Sequence, residues 1–262
     1  MCPQLLLQTR ALVCLVIFLG AAPDLRSQDR QPGGDDPWLV FTDTESPDRR
    51  YAVAWGLPKH PELWAEICRS MRDKAQRSFE EDEKLADQIP ADDVENYIVD
   101  LREKKVLARL QSKRDLVPNY YQLAFLRPNH HGLEVLWSRA GDIVVVNHTY
   151  HSESVTFCAA RIEDGKAGSL LDLQKKLEIP LRSYMGKRAP RRALGSALAF
   201  LFENVEQRES EKFSVDAKAE LLAKGQDGWN EEAGIVFTLR RAGPRDLKLE
   251  VLEIRQPARA DQ

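Results

Sequence analysis

Cysteine, charge of one sign and long apolar runs are all scarce in this chain, and each scarcity excludes something. Four cysteines occur in 262 residues, and Cys2 and Cys14 belong to the N-terminal stretch. Only Cys68 and Cys158 remain for the body, enough for one bridge and too few for a disulfide scaffold. Each also falls in an apolar pattern, where a thiol serves as a small core residue. Lys and Arg number 38 against 41 Asp and Glu, a net charge of -3. That balance gives no overall signal for a polyanion or a charged membrane surface. The apolar run from Ala11 to Ala22 falls short of the ~20 residues that cross a bilayer.

Familiar catalytic motifs are missing too. No Gly-x-Ser-x-Gly elbow surrounds Ser169 or Ser196, no glycine loop precedes Lys-Ser or Lys-Thr, and no His-Glu-x-x-His occurs. Serine-hydrolase, nucleotide-binding and zinc-protease chemistry therefore lose their usual sequence support. The adjacent acids Asp92 and Asp93 suit a helix start better than paired acid–base work.

What is present begins with the leader. Met1 to Arg10 is basic without an acid, the apolar run follows, and Gly20 and Ala22 are small. This predicts a signal peptide over residues 1–22, with an uncleaved anchor as the alternative, and a secreted, periplasmic or cell-envelope location. After its removal no membrane span is expected. Residues 23–37 read as a flexible linker and 256–262 as a tail. Between them, 38–255 reads as a single α+β domain with a subdivision near 168. The part 38–167 is β-rich, and 168–255 carries helices and a three-stranded meander.

Strands are expected at Trp38–Phe41, Tyr51–Gly56, Asn96–Leu101, Val106–Leu110 and Val155–Ile162, with another at Tyr120–Phe125. A charged helix opens at Pro61 and carries Trp64, Ile67, Cys68, Met71, Ala75 and Phe79 on one face. Its acidic end, Glu80 to Glu83, lacks calcium-loop spacing and reads as solvated. Two later helices follow, one through Leu170, Leu173 and Leu177 that ends at Pro180. The other carries Leu194, Ala197, Leu198, Leu201, Phe202 and Val205. Lys187, Arg188, Arg191 and Arg192 precede this second helix, and cations there point to an anionic partner or to a solvated loop. No aromatic residues interleave with them, so a nucleic-acid site is not indicated. Period-two alternation then runs through Phe213–Leu221, Ile235–Leu239 and Leu247–Val251.

The strongest strand signal lies in His130–His151, which also holds four of the five histidines. A three-residue loop, Arg139-Ala140-Gly141 with Gly141 left-handed, pairs Trp137 with Ile143 and Val135 with Val145. His131 and His151 then share one face and His130 and His148 the other. Zinc wants three or four converging ligands, so this register divides the candidate metal site. Asn147-His148-Thr149 forms a glycosylation sequon.

Trp137-Ser138-Arg139-Ala140-Gly141-Asp142 and Ser46-Pro47-Asp48-Arg49 resemble the turns of WD-repeat and TolB-like β-propeller blades. Ile98-Val99-Asp100-Leu101 with Lys104-Lys105-Val106 is similar to the later strands of such blades. The resemblance covers about residues 38–56 and 94–166. It implies meander sheets with blade-like hairpins. A closed propeller typically needs about four to eight blades, which leaves this chain an incomplete one. By analogy it also implies a binding platform.

The resulting expectation is a non-enzymatic binding or interaction protein, with no cofactor. Its protein or small-ligand partner sits at an edge strand or sheet face. The alternative is a hydrolase or metal-dependent enzyme, with zinc at the hairpin mouth.

Overall fold

The computed structural model describes residues 37–41, 43–72, 84–85, 87–90, 93–110, 131–150, 153–187, 198–221 and 230–256. These residues form three antiparallel sheets and two helices, an α+β architecture in which no sheet closes on itself.

Sheet 1 comprises β1 (Leu39–Val40), β2 (Tyr51–Gly56), β3 (Glu95–Asp100) and β4 (Lys105–Leu110), in chain order. Helix α1 (Pro61–Arg72) is inserted between β2 and β3. Proline occupies its first position, where the missing N–H removes no helical bond. Ile67 and Cys68 are buried, and Trp64 meets Trp55 edge-on at 5.2 Å. Ala75, Phe79, the acidic run Glu80–Glu83 and the expected strand Tyr120–Phe125 lie outside the described residues.

Sheet 2 contains β5 (His131–Trp137), β6 (Ile143–Tyr150), β7 (Glu153–Glu163) and β8 (Lys166–Ala167), with β9 (Leu171–Asp172) also paired to β7. It is the middle layer. Val144, Val146, Cys158 and Ala160 share a core with Val53, Trp55 and Ile98 of sheet 1. Ile143, Val145, Phe157 and Ala159 share another with Leu173, Leu177, Phe202 and Phe237. A sheet covered on both faces cannot show polar alternation, which is why Ile143–Val146 reads as an unbroken apolar run. The second core also makes packing continuous across residue 168.

Sheets 1 and 2 begin with the same turn. Ser46 N–H donates to Tyr51 O at 2.8 Å, and Ser138 N–H donates to Ile143 O at 2.7 Å. Arg49 N–H donates to Ser46 O, and Gly141 N–H to Ser138 O, both at 2.8 Å. Each serine Oγ then accepts the amides four and five residues on, at 3.2 and 2.9 Å for Ser46 and 3.2 and 3.0 Å for Ser138. The fourth position is left-handed in both, Arg49 at φ 54° and Gly141 at φ 71°. The two turns abut, for a Cβ on Gly141 would stand 3.9 Å from Asp48 Oδ1.

This serine-centred turn overturns the expected hairpin register. Trp137 stands opposite Val144, not Ile143, and Val135 opposite Val146, not Val145. The three-residue loop was too short because it ignored Ser138 Oγ, which satisfies the amides of Asp142 and Ile143 and so sustains a wider loop. Trp137 then reaches sheet 1, donating from Nε1 to Thr44 O at 2.8 Å and stacking on Tyr51 at 6.0 Å.

Two helix expectations also need correction. Helix α2 (Leu173–Gly186) does not stop at Pro180 but runs through it. Its buried stripe of Leu173, Leu177, Leu181 and Met185 continues past the proline, so packing outweighs the one hydrogen bond that Pro180 removes. Asp172 caps its start by accepting from Lys175 N–H at 3.0 Å.

The second correction is larger. Leu198–Glu209 is strand β10, followed by β11 (Lys212–Leu221), β12 (Asn230–Arg241) and β13 (Leu247–Arg255), so sheet 3 has four described strands where three were expected. Phe200 and Phe202 enter the core while Ala199 and Leu201, on the opposite side, are 1% and 8% exposed. Burial on both sides erased the alternation and left a spacing that imitates a helix. Leu194 and Ala197 lie outside the described residues.

Candidate functional site

The hairpin mouth carried the metal expectation. His148 stands opposite Leu133 and Thr156, and is 2% exposed. His131 begins β5 opposite Tyr150. The side chain of His131, and His130 and His151 altogether, lie outside the described residues. Among the described residues no group of three or more His, Cys, Asp or Glu side chains is placed to hold a metal ion. Cys68 and Cys158 are both buried thiols of the core between sheets 1 and 2. Lys187 follows α2, whereas Arg188, Arg191 and Arg192 lie outside the described residues. The described part of the second helix at whose start all four were placed is strand β10.

Asn147 has a structural task. Its Nδ2 donates to Glu134 Oε2 at 2.9 Å and to Phe202 O at 2.6 Å. Ser154 Oγ accepts from Phe202 N–H at 2.8 Å, and Glu134 Oε1 accepts from Asn204 N–H at 3.0 Å. These side chains of sheet 2 thus satisfy the open edge of β10, which would otherwise leave backbone groups unpaired. Asn147 is 1% exposed, so the sequon is closed to a glycosyltransferase once the chain folds. Protein folded before exposure to the transferase is expected to carry no Asn147 glycan, read by mass spectrometry after glycosidase treatment. Asn147→Ala is expected to destabilise by about 2 kcal/mol, because Phe202 O and Glu134 lose their donor.

At the opposite end of the sheets the turns hold a network of charges. Asp100 is fully buried, with Oδ1 accepting from Arg102 and Glu103 N–H at 2.9 and 3.0 Å and Oδ2 from Arg50 Nε at 3.0 Å. Burial alone pushes the Asp100 carboxyl up, but the amide bonds and the Arg50 guanidinium outweigh it and hold the group below its ordinary value. Arg161 is 2% exposed and donates from Nη1 to Pro244 O, with Gly243 O at 3.4 Å, and from Nη2 to Glu163 at 2.8 Å. Its Nε lies 3.8 Å from Asp142, a carboxylate that also meets Arg241 at 3.4 Å. Every one of these groups fixes a turn or joins two sheets. They are architecture.

The fifth histidine, His60, pairs through Nε2 with Asp93 Oδ2 at 2.8 Å, and Lys59 Nζ meets Asp93 Oδ1 at 2.5 Å. The His60 and Lys59 contacts hold the Asp93 carboxyl below its ordinary value. A His–Asp pair suggests acid–base work, but here it ties the start of α1 to the approach of β3 and so closes the ends of the insertion. Asp92, its sequence neighbour, lies outside the described residues.

The outer face of sheet 3 is different. Asn204, Glu206, Arg208, Ser214, Asp216, Gly234 and Arg255 line an open cleft of about 240 Å³. Asn204 takes a left-handed φ of 55° at a break in register, and its Nδ2 donates to Asp216 Oδ2 at 3.0 Å. Arg208 is aimed by Ser214 Oγ at 2.9 Å and Glu206 at 2.7 Å. Gly234 forms the floor, and a Cβ there would come no closer than 3.8 Å to Arg255 Cγ. The absent side chain thus opens space without any backbone need for glycine. Sequence reading missed this site because β10 passed for a helix. The signal that marks it is a glycine inside an alternating strand.

No protein-family model, no curated protein and no solved structure matches the chain.

Proposed function

We propose that this chain is an exported, non-enzymatic binding protein of the cell envelope or exterior, and that the outer face of sheet 3 is its binding surface. The Gly234 cleft carries this reading: a concave, open site built on hydrogen-bonded strands, with both charge signs on its rim. Side chains on paired strands are held more rigidly than those on loops, which favours recognition. Asp216 and Glu206 beside Arg208 and Arg255 suit a partner that itself presents both a cation and an anion, such as a polypeptide segment. The basic start, short apolar run and small residues of the leader support export. Sheets 1 and 2 are two copies of one blade-like unit on this reading, which their shared serine turn supports, and such units commonly serve as platforms.

The test uses two cleft variants and an extract of the source cell envelope. Gly234→Leu fills the floor, its Cβ meeting nothing closer than 3.8 Å, and Asp216→Lys inverts one rim charge. Each is expected to weaken saturable capture of the partner by about tenfold with an unchanged melting temperature. Capture that both variants leave intact would sink this assignment of the surface.

A further inference from the structure

On the outer face of sheet 3, cations and acids are paired: Arg208 meets Glu206 at 2.7 Å, Arg240 meets Glu250 at 3.2 Å and Lys218 meets Glu220 at 3.4 Å. Helix α2 departs from this. Of the five charged side chains in residues 173–187, four are cations, Lys175, Lys176, Arg182 and Lys187, and all four are exposed. The single acid, Glu178, is already engaged, 3.9 Å from Arg182 and accepting from Gln174 Nε2 at 3.2 Å. Among the described residues no carboxylate pairs with Lys175, Lys176 or Lys187. A local excess of positive charge therefore stands on a chain whose net charge is -3.

The helical period sets one apolar residue at the centre of that charge. At about 100° per residue, the buried stripe of Leu173, Leu177, Leu181 and Met185 is centred diametrically opposite Ile179. Ile179 is 69% exposed, more than any other large hydrophobic side chain among the described residues. Lys175 and Arg182 flank it on one side of the helix, Lys176 and Lys187 on the other. The Arg182 guanidinium lies 4.8 Å over the Phe200 ring, held against the protein. The three lysines are left free to reach outward. In sequence the cations run on through Arg188, Arg191 and Arg192, outside the described residues, and the surface stands without them.

We propose that this face of α2 docks on an anionic lipid surface, with the ammonium groups among the headgroups and Ile179 inserted between them. Lysine stems can lie along apolar surface while their charged ends stay with the phosphates. The attraction adds cation by cation, and an apolar side chain at the apex enters the boundary of the acyl chains. Two other partners fit less well. Nucleic-acid phosphates gain nothing from an isoleucine at the centre of the contact, and the helix's one aromatic residue, Tyr184, packs on the core instead of offering a base its ring. A protein groove that receives a helix reads apolar anchors three, four and seven residues apart. In α2 that stripe is already buried.

The test is binding of the purified full chain to phosphatidylcholine vesicles with and without about one third phosphatidylglycerol, at ~50 mM salt. The readout is the excess partition coefficient on the anionic vesicles, in which any contribution of the apolar run at residues 11–22 common to both cancels. Lys175→Ala with Lys176→Ala is expected to lower that excess about 25-fold, at about fivefold per cation. Ile179→Ser is expected to lower it about tenfold. All three side chains are exposed, so the melting temperature should not move. Salt at ~1 M, where the screening length falls to about 3 Å, should remove the excess. No excess on anionic vesicles overturns the proposal, and so does an excess indifferent to either variant. Tighter binding to duplex DNA at the same salt, weakened by the lysine pair and not by Ile179→Ser, also overturns it and assigns the face to a polyanion. None of these residues lines the Gly234 cleft, so failure here leaves the partner-capture result of the cleft standing on its own.

Discussion

Exchanging Arg161 for methionine is expected to destabilise the fold by about 3 kcal/mol, the largest effect of any single charged residue outside sheet 1. Among the described residues, the guanidinium is the only group in the turn network that bonds both the strand it sits on and the β12–β13 turn, through Glu163 and the Gly243 and Pro244 carbonyls. Methionine fills most of the volume but leaves those carbonyls without their donor. Asp142 and Glu163 keep contact with water, at 26% and 36% side-chain exposure, so their share of the loss is small. The damage should therefore concentrate on the turn. Arg161→Lys recovers only part of the stability, since one ammonium cannot reproduce the forked geometry. Urea denaturation measures the total, and hydrogen exchange over residues 243–255 should rise before the rest of the molecule. Uniform exchange across all three sheets would contradict this account of Arg161.

Asp100→Ala is expected to cost about as much, near 3 kcal/mol, because two turn amides and Arg50 lose one shared acceptor. Asp100→Asn keeps a carbonyl acceptor for the two turn amides but puts an NH2 donor where Oδ2 accepts from Arg50, so it should fall between. The pH dependence follows from the direction of the shift. The carboxyl is held below its ordinary value in the fold, so the unfolded chain binds the proton more readily. Its contribution is therefore complete above the unfolded value of about 3.9 and is lost as pH falls through the lower folded value. Asp48 shifts in the same direction: burial raises it, and the Ser46 hydroxyl and Arg50 amide more than compensate. Between pH 6 and 2, a range of about two units either side of an ordinary carboxyl, the unaltered protein should lose stability more steeply than Asp100→Asn. Parallel urea midpoints for the two across that range would show that Asp100 is not the group responsible.

Much of sheets 1 and 2 is legible in the residues themselves. The strands around Tyr51–Gly56, the Asn96–Leu110 hairpin and the helix opening at Pro61 all stand where turn chemistry and periodicity place them. The hairpin failed by one residue because a single hydroxyl, Ser138 Oγ, widened its loop, and that slip moved every partner of the histidines. The same slip matters for function, since His148 faces Leu133 in a closed core rather than an open mouth. The candidate cleft was legible only as an odd glycine. Its members come from β10, β11, β12 and β13, and no spacing along one strand brings Asn204, Asp216, Gly234 and Arg255 together.

By itself, the sequence determined the features that depend on near neighbours. These are the turn at Ser46–Arg49, left-handed Gly141 and the alternation of β11 and β12. Each is settled within about one turn of helix or one hairpin, where propensity and local hydrogen bonds act. Tertiary structure alone decided whether Leu198–Val205 would be helix or strand, whether α2 would pass Pro180, and whether Asn147 would meet solvent. In each of those cases the local preference was weak or divided. What broke the tie was burial against a distant surface: Phe202 against Phe157 at 5.0 Å, Leu181 and Met185 in the second core, Asn147 beneath β10. Burying such side chains is worth about 1.5–3 kcal/mol each, so Leu181 and Met185 together outweigh the ~3 kcal/mol that a proline inside a helix costs.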